Sequence, residues 1–333
     1  MQSSEDKRMP KKNANKLPVL YLIAPCYNEE AVLPETYKLF EDKLIELIDA
    51  KKISEESRTL FVNDGSKDST WDIISQLSSE HKYIEGICLS RNRGHQNALL
   101  AGLMEAKDLC DVTITLDCDG QHDINAVNQM LEKYNEGYEV VYGVRNSRTG
   151  DSFLKKVFSE MYYKLLNALG GEIITNHADY RLVSSKVLNA FEDFKEVNIF
   201  LRGLFPLVGF KSTTINYDQL DRVAGSSHYN LSRMLTLAID GITSLSIKPI
   251  RIITGIGVFV ALVSFIGVVY SILTFFFGKT VPGWASMTST LCFVSGIQLI
   301  SLGVIGEYVG KTYMETKQRP RYIISDRTFE NKQ

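Results

Sequence analysis

The sequence has no C-x-x-C pair. Its five cysteines (Cys26, Cys88, Cys110, Cys118, Cys292) are scattered, which excludes a zinc-ribbon spacing and a disulfide framework and fits a reduced compartment. Basic residues are not in excess. The formal net charge of -2 leaves no electrostatic footprint for nucleic acid, so that partner class is excluded. Neither G-x-G-x-x-G nor G-x-x-x-x-G-K-[ST] occurs in a loop, so a dinucleotide oxidoreductase and a phosphate-loop NTPase lack their most diagnostic element. Residues 1–16 are polar and lysine-rich without the apolar core of a secretory signal, and read as a disordered leader. Tryptophan is scarce: Trp71 and Trp284 are the only two, neither in a Q-x-x-R-W context.

Charge is also missing locally. Residues 252–278 carry none, and after Lys279 a second uncharged run covers residues 280–306. Each exceeds the roughly 20 residues a membrane helix needs, and both are apolar all round, which reads as two adjacent spans. Lys248 and Arg251 precede the first run, Lys311, Lys317, Arg319 and Arg321 follow the second, and Lys279 alone sits between them. The positive-inside rule then places the N-terminal domain and the C-terminal tail in the cytoplasm. Gly255, Gly257, Gly267, Gly296, Gly303 and Gly306 would permit close helix contacts, within a chain or between protomers.

The remainder, 44% hydrophobic over the whole 333 residues, is patterned as repeated strand, polar loop and helix. Residues 17–24 (LPVLYLIA) form a first strand running into Pro25, Cys26, Tyr27, Asn28, Glu29 and Glu30. Val32, Tyr37, Phe40, Leu44, Leu47 and Ile48 then recur at helical spacing. Residues 59–62 form a second strand opening into Asn63, Asp64, Gly65, Ser66, Lys67 and Asp68, with Asp68 or Ser69 placed to cap a helix near Trp71. Residues 84–89 form a third, delivering Arg91 to His95 ahead of a helix over 96–106. The fourth is the stretch 112–123, VTITLDCDGQHD, which stops in carboxylates, a glycine, Gln121 and His122.

Successive units of this kind specify an α/β domain with a mostly parallel sheet and right-handed crossovers, so their polar strand ends share one rim. Asp117 and Asp119 flank one residue and would point the same way on an extended chain. That outlines a hard-cation site for Mg²⁺ or Mn²⁺, while an acidic turn with no ligand explains an isolated D-x-D equally simply. Carboxylates that can bond a nucleobase or ribose, or hold an ion against a diphosphate, suit a nucleotide-sugar. Beyond a strand at 139–144 and Arg145 comes a basic amphipathic segment, 152–169, which is either a solvated face or a surface for anionic headgroups. Residues 178–183 (ADYRLV) put Asp179 and Arg181 on one side of a short strand, Arg202 begins an apolar helix, and Arg222 lies in the polar loop DRVAGSSHYN. Each arginine is either a ligand for phosphate or a structural ion pair. Residues 232–246 read as an amphipathic helix leading to the first span.

The motifs APCYNEE, VNDGSKDST, LSRNRGHQNALLAGL, LDCDGQHD, ADYRL, FLRGL, DRVAGSSHYNLSRML and GEYVGKTYMETKQRPRY, in this order and joined to two spans, resemble the polyprenyl-phosphate glycosyltransferases of glycosyltransferase family 2. These include dolichol-phosphate mannose synthases and bactoprenol glucosyltransferases. The resemblance implies a GT-A type, Rossmann-like sheet followed by a transmembrane hairpin. It divides the chain into a leader (1–16), a catalytic domain (17–230), a juxtamembrane helix (231–251), two spans (252–309) and a cytoplasmic tail (310–333). It also implies a metal-dependent, inverting transfer from a nucleotide-sugar, UDP-linked by preference, to undecaprenyl phosphate at a bacterial inner membrane, within membrane lipid and as a homo-oligomer such as a tetramer.

By the same resemblance Pro25, Tyr27, Asn28, Glu29, Asp64, Gly65, Ser66, Gly94, His95 and Asp117 serve the donor, and Asp119 and Gln121 hold the ion. Asp179, Arg181, Arg202 and Arg222 serve the acceptor, with Asp179 orienting it or assisting as a base. Three departures stand out: Ile124-Asn125 replaces the usual Pro-Pro, His228 replaces the loop lysine, and Arg93 replaces an aromatic. A processive polysaccharide synthase is disfavoured by the missing Q-x-x-R-W and by too few spans. An inactive sugar-nucleotide-binding scaffold is disfavoured by the retained acidic motifs.

Overall fold

The computed structural model describes residues 16–146, 177–197, 199–219, 247–276 and 283–329. The segment 152–169, Arg222, His228 and the helix expected over 232–246 lie outside those residues.

In chain order the first part of the chain runs β1 (Leu20–Cys26), α1 (Leu33–Asp49), β2 (Arg58–Asn63), α2 (Thr70–Glu80), β3 (Ile84–Leu89), α3 (His95–Ala106), β4 (Val112–Thr115), α4 (Ala126–Asn135), β5 (Val140–Arg145), β6 (His177–Ser184), α5 (Ser185–Phe191), α6 (Leu201–Leu207) and β7 (Ser212–Tyr217). Two long helices follow, α7 (Lys248–Phe276) and α8 (Trp284–Thr316), and then a short strand, β8 (Ile324–Arg327). The eight strands form one sheet in the order β7-β5-β6-β4-β1-β2-β3-β8. The β4-β1-β2-β3 block is parallel, as the strand-helix alternation requires, and β5 pairs β7 in parallel. β6 and β8 run antiparallel to their neighbours, so the sheet is mixed.

β1 is buried at every position, as expected of a strand covered on both faces. Leu20, Leu22, Phe61, Val112 and Ile114 pack with Phe40, Leu44 and Leu47 of α1 into the main core cluster. Removing one such fully buried leucine costs about 2–5 kcal/mol. α3 is apolar nearly all round, with Ala98 to Leu103 buried. Gly102 sets its approach: a Cβ there would lie 2.5 Å from Ile23 Cγ2 and 2.7 Å from Val62 Cγ2. This packing delivers the amino end of α3, with His95 and Gln96, to the same rim as the ends of β1, β2 and β4.

The tail is more than a tail. Residues 324–327 add an antiparallel edge strand to β3, and Arg327 makes two bonds to Glu105 on α3, at 2.8 and 3.0 Å. Thr328 Oγ1 accepts from Gly86 N and from Ser78 Oγ, both at 2.8 Å. A four-residue strand with one apolar residue has no readable alternation, and its partner is remote in sequence.

The two helices belong to a compact unit separate from that of the sheet. Two helical stretches, Lys248–Gly267 and Phe293–Thr316, are long and apolar enough to cross a membrane. Glu307 lies 3.7 Å from Lys311 one turn on.

Candidate active site

The loops after β1 and β2 are bonded to each other. Asn28, at φ 55°, donates its N–H to Ser66 Oγ (2.9 Å) and accepts Lys67 N on its amide oxygen (3.0 Å). Glu29 N donates to Thr70 Oγ1 (2.9 Å), and Glu30 N donates to Asp68 Oδ2 (3.2 Å). Gly65 is required here on two counts. Its φ is +61°, and a Cβ would fall 2.4 Å from the Arg91 backbone carbon. Within this motif Pro25 is a buried member of β1, so the residues that face out begin at Tyr27, 41% exposed.

Asp64 is buried, with Oδ1 accepting Arg93 N (2.7 Å) and Oδ2 accepting Gly94 N (2.9 Å). Burial raises its carboxyl pKa, and those two backbone bonds oppose the shift. Asp64 therefore ties the β2 loop to the β3 loop, a structural task that its residue type did not reveal. Gly94, at φ +84°, starts α3 and sets His95 over the rim.

β4 ends at Thr115, and the carboxylates that follow do not lie on extended chain. Residues 118–120 turn, Gly120 has φ 70°, and Asp119 Oδ1 accepts Gln121 N (3.1 Å). Asp117 remains at the centre, with Oδ1 3.8 Å from His95 Nε2 and Oδ2 3.5 Å from His122 Nε2. Its burial favours the neutral acid, but the two imidazoles outweigh that and lower its pKa. Gln121 Oε1 accepts Gln219 Nε2 at 2.8 Å. No group of three or more His, Cys, Asp or Glu able to hold a metal occurs among the described residues. The oxygen donors of Asp119 and Gln121 fit a hard divalent ion that takes its other ligands from substrate oxygens and water.

On the other side of β4, Thr115 pairs in register with Arg181 on β6. Asp179 and Arg181 share one face of that strand, as expected, and both are buried. Asp179 accepts Arg181 Nη2 (2.5 Å), Arg202 Nη2 (2.8 Å), Arg202 Nε (3.2 Å) and Gln96 Nε2 (3.2 Å), and its Oδ2 lies 3.6 Å from His95 Nε2. Burial alone would raise its pKa; Arg202, His95 and Arg181 outweigh burial and hold it well below the usual carboxylate range. A carboxylate so held is a poor base, which speaks against the expected base assistance.

Arg181 needs a second correction. Its guanidinium is 1% exposed, donates to Leu201 O (3.1 Å) and lies 4.9 Å from the centroid of the Phe205 ring. It supports Asp179 from behind instead of facing a phosphate. Arg202, 34% exposed on the same carboxylate, is the arginine that reaches solvent. His95 stands between the two carboxylates with its side chain 44% exposed. Burial would lower its pKa, but the neighbouring carboxylates of Asp179 and Asp117 prevail and raise it.

Residues 21–191 match the family described as Glycosyl transferase family 2. The chain belongs to glycosyltransferase family 2. Residues 248–312 match the GtrB C-terminal hairpin, so this family 2 glycosyltransferase carries both the GT-A type sheet and the hairpin. A Bacillus subtilis protein named uncharacterized glycosyltransferase YkoT is 44% identical over 92% of this chain and 91% of its own length. The Escherichia coli prophage bactoprenol glucosyl transferase homolog is 39% identical over 91% of this chain and 97% of its own length. The bactoprenol glucosyl transferase of Shigella phage SfX is 38% identical over 92% of this chain and 98% of its own length.

Two residues beside this site are not singled out by the sequence. Gln96 bridges Asp179 and the Leu201 backbone N–H (3.0 Å), and Arg145, at the carboxyl end of β5, donates to Tyr217 Oη at 3.1 Å and helps lower the Asp117 pKa. For Arg145 the signal was present: a cation at a strand's carboxyl end on the shared rim. For Gln96 there was none.

Proposed function

We propose that the protein transfers a hexose, glucose first among the candidates, from a nucleoside-diphosphate sugar to the phosphate of a polyprenyl lipid at the cytoplasmic face of a membrane. The observation that carries this reading is that His95 lies between Asp117, on the donor side, and the buried Asp179 that orients Arg202, in a chain whose full-length relatives are named bactoprenol glucosyl transferases. UDP is the proposed nucleoside diphosphate, and undecaprenyl phosphate the proposed acceptor. The two apolar helices support placement beside that lipid, which raises its local concentration.

The step is a single inverting displacement. An acceptor phosphate oxygen forms a bond to the anomeric carbon as the bond to the diphosphate oxygen breaks, and the nucleoside diphosphate leaves with the electron pair. A phosphate monoester has its second pKa near 6, so the nucleophile is already anionic at neutral pH and needs no proton removed. This agrees with Asp179 being a poor base. Arg202 holds acceptor phosphate, Asp179 and Arg181 fix Arg202, and the loops at Tyr27, Asn28 and Ser66 with Asp117 hold the donor. Arg222 belongs to the acceptor side of this proposal. Mg²⁺ or Mn²⁺ on Asp119 and Gln121 would compensate the charge of the departing diphosphate. Assembly into a homo-oligomer through the glycine-bearing helices is part of the same proposal.

The test is a panel of nucleotide-sugars offered to the detergent-solubilised protein with undecaprenyl phosphate, with and without a chelator. The reading expects one glucosyl donor to give lipid product that chelation abolishes and added Mn²⁺ restores. Unchanged divalent-dependent transfer in Asp119→Ala would remove Asp119 from the ion site.

A further inference from the structure

His122 belongs to the acidic stretch, yet neither the donor nor the ion roles absorb it. Its side chain is 1% exposed, too buried for a ligand contact of its own. Nδ1 accepts the backbone N–H of Asp117 at 3.0 Å. A ring nitrogen that accepts carries no proton, so in the neutral imidazole the proton sits on Nε2. That Nε2 is buried, has no hydrogen-bond partner among the described residues, and lies 3.5 Å from Oδ2 of the same Asp117. The distance is at the outer edge of a hydrogen bond.

The ring itself is fixed. It stacks on Tyr180 (4.8 Å between centroids, 18° between planes) and meets the Tyr217 ring at 75°. Tyr180 is anchored by its hydroxyl donating to Asp123 O at 3.0 Å, and the backbone of His122 bridges to Gln219. An ordinary core histidine satisfies its two nitrogens on two different neighbours. Here both nitrogens address one residue, by its backbone and by its carboxylate.

We infer that His122 is a positioning residue for Asp117: Nδ1 pins the Asp117 backbone, and Nε2–H captures Oδ2 when the donor binds, presenting Oδ1 to the nucleotide-sugar. The inference rests on the donor-side role proposed for Asp117. It differs from a charge role, because the clamp acts through one neutral tautomer and two directed contacts.

Three variants of the full-length protein separate the contacts. His122→Phe keeps the ring stack and loses both bonds, His122→Asn keeps an acceptor near Nδ1, and His122→Gln places an amide N–H near Nε2. Donor affinity is read by calorimetry with UDP-glucose and Mn²⁺, alongside kcat, KM and thermal midpoints. Second-layer contacts of this kind are worth about 10- to 100-fold, so Phe and Asn should lose that much in donor affinity or kcat/KM, with Gln recovering to within about 3-fold of wild type. Should Phe fail to fold, Asn against Gln at equal thermal midpoint carries the comparison. ¹⁵N spectra of histidine-labelled protein should show the Nε2–H tautomer in the resonance that His122→Gln removes. Phe within about 3-fold of wild type, Gln no better than Asn, or an Nδ1–H tautomer overturns the inference. The tautomer reads the clamp whether or not sugar is transferred, so a failed transfer assay counts against the functional reading alone.

Discussion

Replacing Asp179 with Asn removes one negative charge from a pocket that holds two guanidinium groups. Arg202 is 34% exposed and can turn to water, but Arg181 is 1% exposed and has no such option. Leaving a buried charge without its counter-ion costs about 3–5 kcal/mol, a large fraction of a total stability of about 5–15 kcal/mol. Arg202→Ala should cost about 1 kcal/mol or less, because solvent already screens that pair. The decisive comparison is the double variant Asp179→Asn with Arg181→Met, which removes both buried charges and should recover most of the lost stability without recovering transfer. Thermal unfolding in detergent, read beside a sugar-transfer assay, separates the two effects. The stabilising charge is present above the unfolded carboxyl pKa of roughly 3.9 and is lost only as the pH falls through the lower folded value. Asp179→Asn with an unchanged unfolding midpoint, or a double variant less stable than Asp179→Asn, would refute the reasoning.

Gly102→Ala forces a methyl to 2.5 Å from Ile23 Cγ2 and should cost about 1–3 kcal/mol in a thermal melt, with donor affinity falling as α3 lifts from the sheet. Truncation before Ile324 strips the edge of β3 and should speed amide exchange over Ile84–Leu89, whereas Arg327→Ala, which removes only a half-exposed pair with Glu105, should cost about 1 kcal/mol or less. His95, its pKa raised through Asp179 and Asp117 against the effect of burial, is an imidazolium at low pH and loses its charge as the pH rises through that value. The rate profile of the wild type should therefore show an alkaline fall that His95→Gln lacks; the same limb persisting in the variant would show that the fall does not come from His95.

Much of the architecture was legible because β1 to β4 are apolar runs that stop abruptly at polar loops, with helical spacing between them. Asp179 and Arg181 were legible as neighbours because strand geometry puts alternate residues on one face. What the pattern could not give was depth. Arg181 reads as a phosphate ligand until β6 is placed between β4 and β5, where its guanidinium meets Asp179, Leu201 and Phe205. Asp64 reads as a ligand carboxylate until the β3 loop is seen donating two backbone N–H groups to it. β8 was hidden because Ile324 to Arg327 has no apolar alternation, and only pairing with β3 makes it a strand. His122 was visible in the sequence but mute, since its role lies in which nitrogen faces Asp117.

The central claim is that sugar moves from a nucleotide to a lipid phosphate. Radiolabelled UDP-glucose, incubated with the purified full-length protein, Mn²⁺ and undecaprenyl phosphate, tests it directly. The account predicts label extracted with lipid in a one-to-one ratio with released UDP, dependent on the acceptor and lost in Arg202→Ala at a near-normal unfolding midpoint. Label accumulating as polymer, or UDP released at the same rate with no lipid acceptor present, would contradict it.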